Sequence, residues 1–350
     1  MRQFLRLTLP IVVLNFGVWP TVHARASRSD SHALHIFFVD VEGGQATLFV
    51  TPAKQALLID TGWSASDGRD ADRIVAVAKT AGISKIDYVL ITHFHRDHVG
   101  GFPNLVARIP VGTVIDHGDN RETTDGTTLR AWQAYQQLLA EKKFKRLTVK
   151  PGDSLPIRGV NTVVISSDGA LIDRPLAQAG QKNPACTSAG QYPPDQTENG
   201  RSLGTLISFG KLKILDLGDL TGDTETELVC PTNKLGLMDI YIVSHHGGYQ
   251  SGSPAFVNAI APRVAIMDNG AKKGGTPSAW DIIEKSPRLL DFWQLHFSDQ
   301  GGAAHNVAPD FIANPQGPDD GSYLELTAWR DGNFEVLNSR TNKAKHYRPR

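Results

Sequence analysis

The stretch ITHFHRDHVGG, residues 91–101, sets three histidines and one aspartate within six positions. His93, His95, Asp97 and His98 follow an apolar run and precede Gly100-Gly101, so they belong to a loop at the end of a buried strand. Loops carried on rigid scaffolds are where reactive sites are built. While the chain stays extended, His93 and His95 point the same way. Once it turns, Asp97 and His98 face a second point close by. Neutral imidazole and carboxylate are good ligands for zinc, manganese or iron. Converging without a metal, these four groups would bury costly polar atoms.

Two other places offer donors in the same setting. KILDLGDLT is an apolar strand ending at Asp219, and DIYIVSHHGG is another, ending at His245-His246 before two glycines. Strand ends of one sheet-based fold can meet at one rim, so the three stretches are read as one metal centre. The chain has no G-x-S-x-G, and neither cysteine sits in a nucleophile motif. Metal-activated water is therefore the expected nucleophile.

The elements that must position these groups follow from periodicity. ALHIFFVDV, QATLFVT and QALLID read as short strands in a meander, with Glu42-Gly43-Gly44 at the first turn. DADRIVAVAKTAG reads as a helix capped at Gly82, and DYVLIT as the buried strand that delivers the histidines. A short helix in GGFPNLVARI, a strand VGTVID and a helix LRAWQAYQQLLAEKK follow. Residues 167–200, rich in Gly, Pro, Asn, Asp and Gln, read as a long surface loop. The second half continues as a strand pair around Gly210, then DIYIVS, a helix in FVNAIAP, a strand RVAIMDN, a helix SAWDIIEKS and a hairpin around Asp331-Gly332. Strands, then βα alternation, then strands again fit two sheets with helices outside, a layered α/β domain.

Composition sets the bounds. The chain has 350 residues, 40% hydrophobic and 21% charged, with 36 basic and 36 acidic residues. No basic excess announces nucleic acid; FKRLTVK and AKHYRPR are the only basic runs and read as solvated surface. Residues 1–26 pair a basic start with a short apolar middle and end in Ala24-Arg25-Ala26, the pattern of an export signal. Its removal leaves 33 basic against 36 acidic residues, a net charge of −3. The expectation is a signal peptide over 1–26 and one domain over 27–350, secreted or periplasmic, with no stable membrane insertion after cleavage. The core runs from about 34 to 290, with C-terminal strands to about 340. Cys186 and Cys230 are read either as one disulfide, which an exported protein would keep, or as two separate buried thiols.

TH-x-H-x-DH-x-GG, then GD, then HHG resembles the metallo-β-lactamase superfamily. More narrowly, VDVEGGQATLFV, IDTG, NGRSL, LGDLT and HHGGYQSGSPAFVNAIAPRVAI resemble the hydrolase domain of ComEC-type competence proteins and their secreted stand-alone relatives. The likeness covers about residues 34–290. It implies an αββα sandwich, two mixed β-sheets with helices on the outer faces, and a site for two divalent ions, zinc with manganese as the alternative. His93 and His95 would bind the first ion, Asp97 and His98 the second. Asp219 would bridge them, and His246 matches the family's final histidine. His245 would touch the substrate; with Asp97 it is placed among the catalytic residues. Asp60 would orient a ligand through hydrogen bonds.

Departures from the family pattern bear on the site. Members usually supply a further histidine before the bridging aspartate. Here His117 is the only histidine in that interval, and Asn199 stands where ComEC-type relatives often carry asparagine. Glu42-Gly43-Gly44-Gln45 replaces a Gly-Gln-Gly-Asp turn, and Gly275-Thr276-Pro277 replaces a histidine before proline. His296 and His305 are weaker candidates for lining a substrate cleft.

The expected activity is hydrolysis by a hydroxide bridging the two ions, on a phosphodiester-type small molecule or polymer end. The charge gives nucleic acid no support as partner. Hydrolysis of a carboxylic ester, thioester or lactam by the same centre is the alternative, and a non-catalytic metal- or ligand-binding protein the third reading.

Overall fold

The computed structural model describes residues 32–64, 66–188 and 190–349. The segment read as an export signal lies outside the described residues. Two nine-stranded sheets face each other. The first contains β1 (Leu34–Phe38), β2 (Thr47–Val50), β3 (Ala56–Ile59), β4 (Ile86–Leu90), β5 (Val111–Asp116) and β6 (Lys145–Thr148), preceded in space by the C-terminal strands β20 (Lys343–Tyr347), β19 (Phe334–Asn338) and β18 (Leu324–Ala328). The second runs β17 (Ile312–Asn314), β16 (Asp291–His296), β15 (Val264–Met267), β14 (Ile240–Ile242), β12 (Leu212–Asp216), β11 (Gly204–Phe209), β8 (Asn161–Ser167) and β7 (Ser154–Leu155), with β9 (Ala170–Leu171) beside β8. A small pair, β10 (Gln181–Lys182) and β13 (Thr232–Asn233), stands apart.

Both sheets share one plan. The first is antiparallel from β20 to β3 and parallel from β3 to β6. The second is antiparallel from β7 to β12 and parallel from β12 to β17. Period-two alternation builds three apolar layers. Leu34, Ile36 and Phe38 of β1 pack between the sheets with Ile207 of β11 and Ile214 of β12. Phe37 and Val39 face outward, onto Ile74 and Val77 of α1 (Arg69–Thr80), Phe102 and Leu105 of α2 (Phe102–Val106) and Tyr135 of α3 (Gly126–Lys142). The other outer layer joins Leu215, Tyr241 and Ala265 to α4 (Gly222–Val229), α5 (Pro254–Ile260) and α6 (Pro277–Glu284). This is the expected αββα sandwich of mixed sheets.

Several strands carry no legible pattern, β6, β16, β17 and β20 among them. β16 and β17 extend the parallel half of the second sheet, and β20 continues the fold beyond residue 340. β16 carries Gln294 and His296 in a fully buried setting, so its polar letters hide its place. The run AKHYRPR, read as solvated surface, supplies β20, and FKRLTVK supplies β6; these are the two outer edges of the first sheet. Lysine on an edge strand blocks pairing with another chain, which accounts for both basic runs. Residues 167–200 are likewise more than a surface loop. They contain β9, β10 and short turns at Pro184–Ser188 and Asn199–Arg201.

The cysteine question resolves as a disulfide. Cys186 and Cys230 are joined, with Cα atoms 5.7 Å apart, pinning the 184–188 turn to the end of α4. At a separation of 44 residues, loop-closure entropy predicts a contribution of about 4 kcal/mol. The Cys186→Ala/Cys230→Ala double variant should lose about that much stability in urea unfolding. A loss below about 1 kcal/mol would show that the bridge constrains little.

Candidate metal centre

Every chemistry-bearing side chain stands just past the C-terminal end of a strand in a parallel half-sheet. Asp60 follows β3, His93 follows β4 and His117 follows β5; Asp219 follows β12, His245 and His246 follow β14, and Asp268 follows β15. Carboxyl ends of parallel strands are the usual rim for a ligand. Facing sheets bring both rims together.

Asp97, His98, Asp219 and His246 form one group. His98 Nε2 lies 3.1 Å from His246 Nε2, and 3.3 Å from both Asp97 Oδ2 and Asp219 Oδ1. His246 Nε2 lies 3.4 Å from each of the same two oxygens. A tetrahedral zinc ion with ligands at ~2.0–2.1 Å sets those ligands about 3.3 Å apart. Five of the six edges of that tetrahedron are thus present, made of two imidazoles and two carboxylates.

His93, His95 and Asp219 form the second group. His93 Nε2 is 3.9 Å from Asp219 Oδ2, and His245 Nε2 is 3.6 Å from the same oxygen. Asp219 therefore turns Oδ1 to one group and Oδ2 to the other. Asp219 Oδ1 and His93 Nε2 are buried without a hydrogen-bond partner among the described residues. Orphaned polar atoms of this kind are costly unless a cation meets them. The donors, their spacing and the orphans all fit divalent ions.

The remaining ring nitrogens are held from behind, which fixes tautomer and orientation. His98 Nδ1 contacts Asp60 Oδ2 at 2.7 Å, and Asp60 accepts from Thr92 N at 2.8 Å and Thr92 Oγ1 at 2.6 Å. His246 Nδ1 is the exception: it faces Asp268 Oδ1 at 3.3 Å, and neither atom makes a hydrogen bond among the described residues. His95 Nε2 contacts Glu122 Oε2 at 2.9 Å, leaving Nδ1 for a metal. His93 Nδ1 meets Thr92 Oγ1 at 3.1 Å, and Ser202 Oγ accepts from Asp219 N at 3.2 Å. Asp60, His245 and His246 adopt φ of 58°, 54° and 54°, in the left-handed region. Such strain concentrates at functional positions. The histidine turn is held by His245 N donating to Gly218 O at 3.0 Å and Gly275 N donating to His246 O at 2.9 Å.

Electrostatics separate the two groups. At His98 burial is outweighed by Asp219, Asp97 and Asp60, which hold the imidazole well above its usual range. At His246 burial is outweighed by Asp219 and Asp268, which push it up to about 10. Burial also opposes ionisation of the two carboxylates. Lys273 and His98 nevertheless hold Asp97 well below the carboxylate range, and His98 and His246 do the same for Asp219. His93 moves the other way: burial, then His98 and His95, keep it neutral.

The weaker candidates land elsewhere. His117 lies outside both groups; its Nε2 contacts Glu198 Oε2 at 3.0 Å. Asn199 is buried, with Oδ1 unpartnered among the described residues. His296 contacts Asp40 at 2.6 Å in a separate cluster with Asp319, and His305 packs on Trp280. The departures gain physical reasons. A Cβ on Gly44 would fall 2.3 Å from Asp97 O, and Gln45 beside it ties Asp216 at 2.6 Å rather than carrying charge. Gly274, at φ 76°, would place a Cβ 2.1 Å from His246 O, so the loop where relatives carry histidine lies directly on the ligand turn. Glu122, Asp268 and Lys273 were missed. Only Asp268, directly after an apolar strand, had the signal that marked the others.

Two outcomes follow. A metal takes neutral imidazole, while nearby carboxylates, against burial, favour the protonated forms of His98 and His246. Their Nε2 atoms lie 3.1 Å apart, so one N–H stands between them. An ion entering their group therefore expels at least one proton, and its affinity rises with pH, by about tenfold per unit near neutrality. Calorimetry in buffers of different ionisation enthalpy reads the proton count; a count of zero would contradict the arrangement. Glu122→Ala frees His95 Nε2, and should weaken metal binding by about 10- to 100-fold in one class of site only. Equal loss at both, or none, would detach Glu122 from the ligand set.

The family model described as Metallo-beta-lactamase superfamily matches residues 39–187. The chain is 25% identical over 230 residues to "Competence protein ComA" of Neisseria gonorrhoeae, a match covering 65% of this chain and 26% of that one. It is 25% identical over 248 residues to "ComE operon protein 3" of Bacillus subtilis, covering 66% and 28%. The matched stretch thus spans about a quarter of the length of these relatives. Among solved structures, the metallo-beta-lactamase fold protein YhfI from Bacillus subtilis aligns over 75% of this chain and 96% of its own, at 12% identity and a TM-score of 0.45. The family model thus matches residues 39–187, and the fold of the described residues is the αββα sandwich of metallo-β-lactamase-like proteins.

Proposed function

We propose that this chain is a metal-dependent hydrolase of phosphodiester-type substrates, exported from the cytoplasm. The observation that carries the reading is Asp219, one oxygen turned to each of two ligand groups. Bound divalent ions lower the pKa of water toward neutrality and stabilise charge growing on the attacked centre. His93 and His95 would hold one ion, Asp97, His98 and His246 the other, with Asp219 between them. Zinc is favoured by the tetrahedral spacing; manganese is the alternative. His245 is positioned for substrate: Ser251 Oγ lies 3.3 Å behind its Nδ1, and its Nε2 faces the shared carboxylate.

Support for an anionic substrate comes from the rim. Lys273 Nζ and the guanidinium of Arg96 each lie 5.1 Å from the Trp63 ring centre, beside Asp97. The competence-protein likeness favours the same class. For export, the Cys186–Cys230 bridge fits an oxidising compartment. No helix of the described residues is long and apolar enough to cross a membrane.

The test is a substrate panel on the purified chain loaded with zinc or manganese. It should turn over bis(p-nitrophenyl) phosphate, and leave nitrocefin and p-nitrophenyl acetate untouched. Asp219→Asn should lower kcat by about 1000-fold or more and reduce bound metal. The reverse substrate pattern would move the assignment to ester or lactam hydrolysis. Fewer than one ion per chain with no turnover would make it a non-catalytic binding protein.

A further inference from the structure

Lys273 stands both at the substrate rim and against a metal ligand. Its ammonium contacts Asp97 Oδ2, the oxygen that forms two edges of the tetrahedral group. The side chain is 35% exposed, so it reaches the ligand set from solvent. Its position is built. Gly270 N donates to Lys273 O at 2.9 Å, and the Lys273 Cβ packs against Gly43 in the turn between β1 and β2. The Trp63 ring lies under the ammonium at 5.1 Å. Arg96 shares that ring, so two cations stand at one lip of the site.

A cation fixed beside a metal ligand has two consequences of opposite sign. It repels a dication arriving at Asp97, and competes with it for the same oxygen. It also attracts any anion that comes to rest on the ions. The ion and the anion must then strengthen each other's binding, by the same factor in both directions. We propose that Lys273 couples filling of the Asp97–His98–His246 group to binding of an anionic substrate group such as phosphate. With no anion, Lys273 lies on Asp97 and weakens the second ion. With an anion present, the ammonium turns to it and Asp97 is released to the metal. This rests on the metal-centre reading above and sharpens its substrate class.

The experiment measures binding rather than turnover. Manganese affinity is titrated on the full chain, with and without inorganic phosphate, for wild type, Lys273→Met, Lys273→Gln and Lys273→Arg. In wild type, phosphate should tighten the weaker manganese site by about fivefold or more. Lys273→Met and Lys273→Gln should bind that ion about tenfold tighter without phosphate and show a smaller phosphate effect than wild type. Lys273→Arg should retain it. A neutral variant that binds the weaker ion no more tightly, or keeps the phosphate effect undiminished, overturns the proposal. Two ions bound in wild type with no phosphate effect sink this inference alone, whereas no ion bound at all sinks the centre beneath it. Absence of diesterase turnover bears only on the substrate assignment.

Discussion

Two carboxylates buried among imidazoles are the constraint on which the rest of the structure depends. Asp97 and Asp219 are each at most 5% exposed. A buried carboxylate is tolerated only when positive charge or hydrogen bonds surround it. Here the chain answers with imidazoles, two of which have their far nitrogens tied to Asp60 and Glu122, while Asp268 faces a third at ion-pair distance. Those ties bring more buried carboxylate, and Asp216 behind them is pushed up to about 7 by burial. The rim is thus a concentrated anionic pocket in a chain of zero formal charge. Divalent cations relieve that imbalance where protons and one lysine do so only in part.

Holding such a pocket requires backbone that would not form by itself. Asp60, His245 and His246 sit in the left-handed region without being glycine. Each is fixed by neighbours from other elements: Asp60 by Thr92, the histidine turn by Gly218 and by the loop at Gly275. Because those neighbours follow different strands of the same sheet, each turn is correct only when its own sheet is assembled. Fold and site are one cooperative object, and the parallel half of each sheet exists to bring its strand ends to the shared rim.

How much of this was legible depended on where each contact lies along the chain. The cluster at 93–98 is local, so residue type and spacing exposed it. Asp219 and His245-His246 announced themselves as polar residues at the ends of apolar strands. Asp60 also follows an apolar strand, but its tie to a ligand came only from the family resemblance. Glu122 was not, because it meets His95 from a loop between β5 and α3, with no pattern of its own. Lys273 reaches Asp97 across 176 positions. β16 was hidden by its buried polar residues, and β6 and β20 by the lysines that protect a sheet edge. Sequence periodicity reports burial on one element at a time. The missing residues are those whose role is created by a partner on another.

The two halves of the centre are unequal, and the inequality follows from the chain's own charges. His93 is kept neutral by burial and by its imidazole neighbours, so it meets a cation with no proton to lose. Against burial, nearby carboxylates favour the protonated forms of His95, His98 and His246 alike, and Asp97 already carries Lys273. His93 is therefore the prepared ligand, and the Asp97–His98–His246 side already holds positive charge that a metal must displace. Asp219 joins them: a cation held on Oδ2 would draw negative charge from Oδ1, loosening the protons on His98 and His246 while repelling a second cation. Filling of the two sides would thus be coupled through a single carboxylate, with proton release working against charge repulsion.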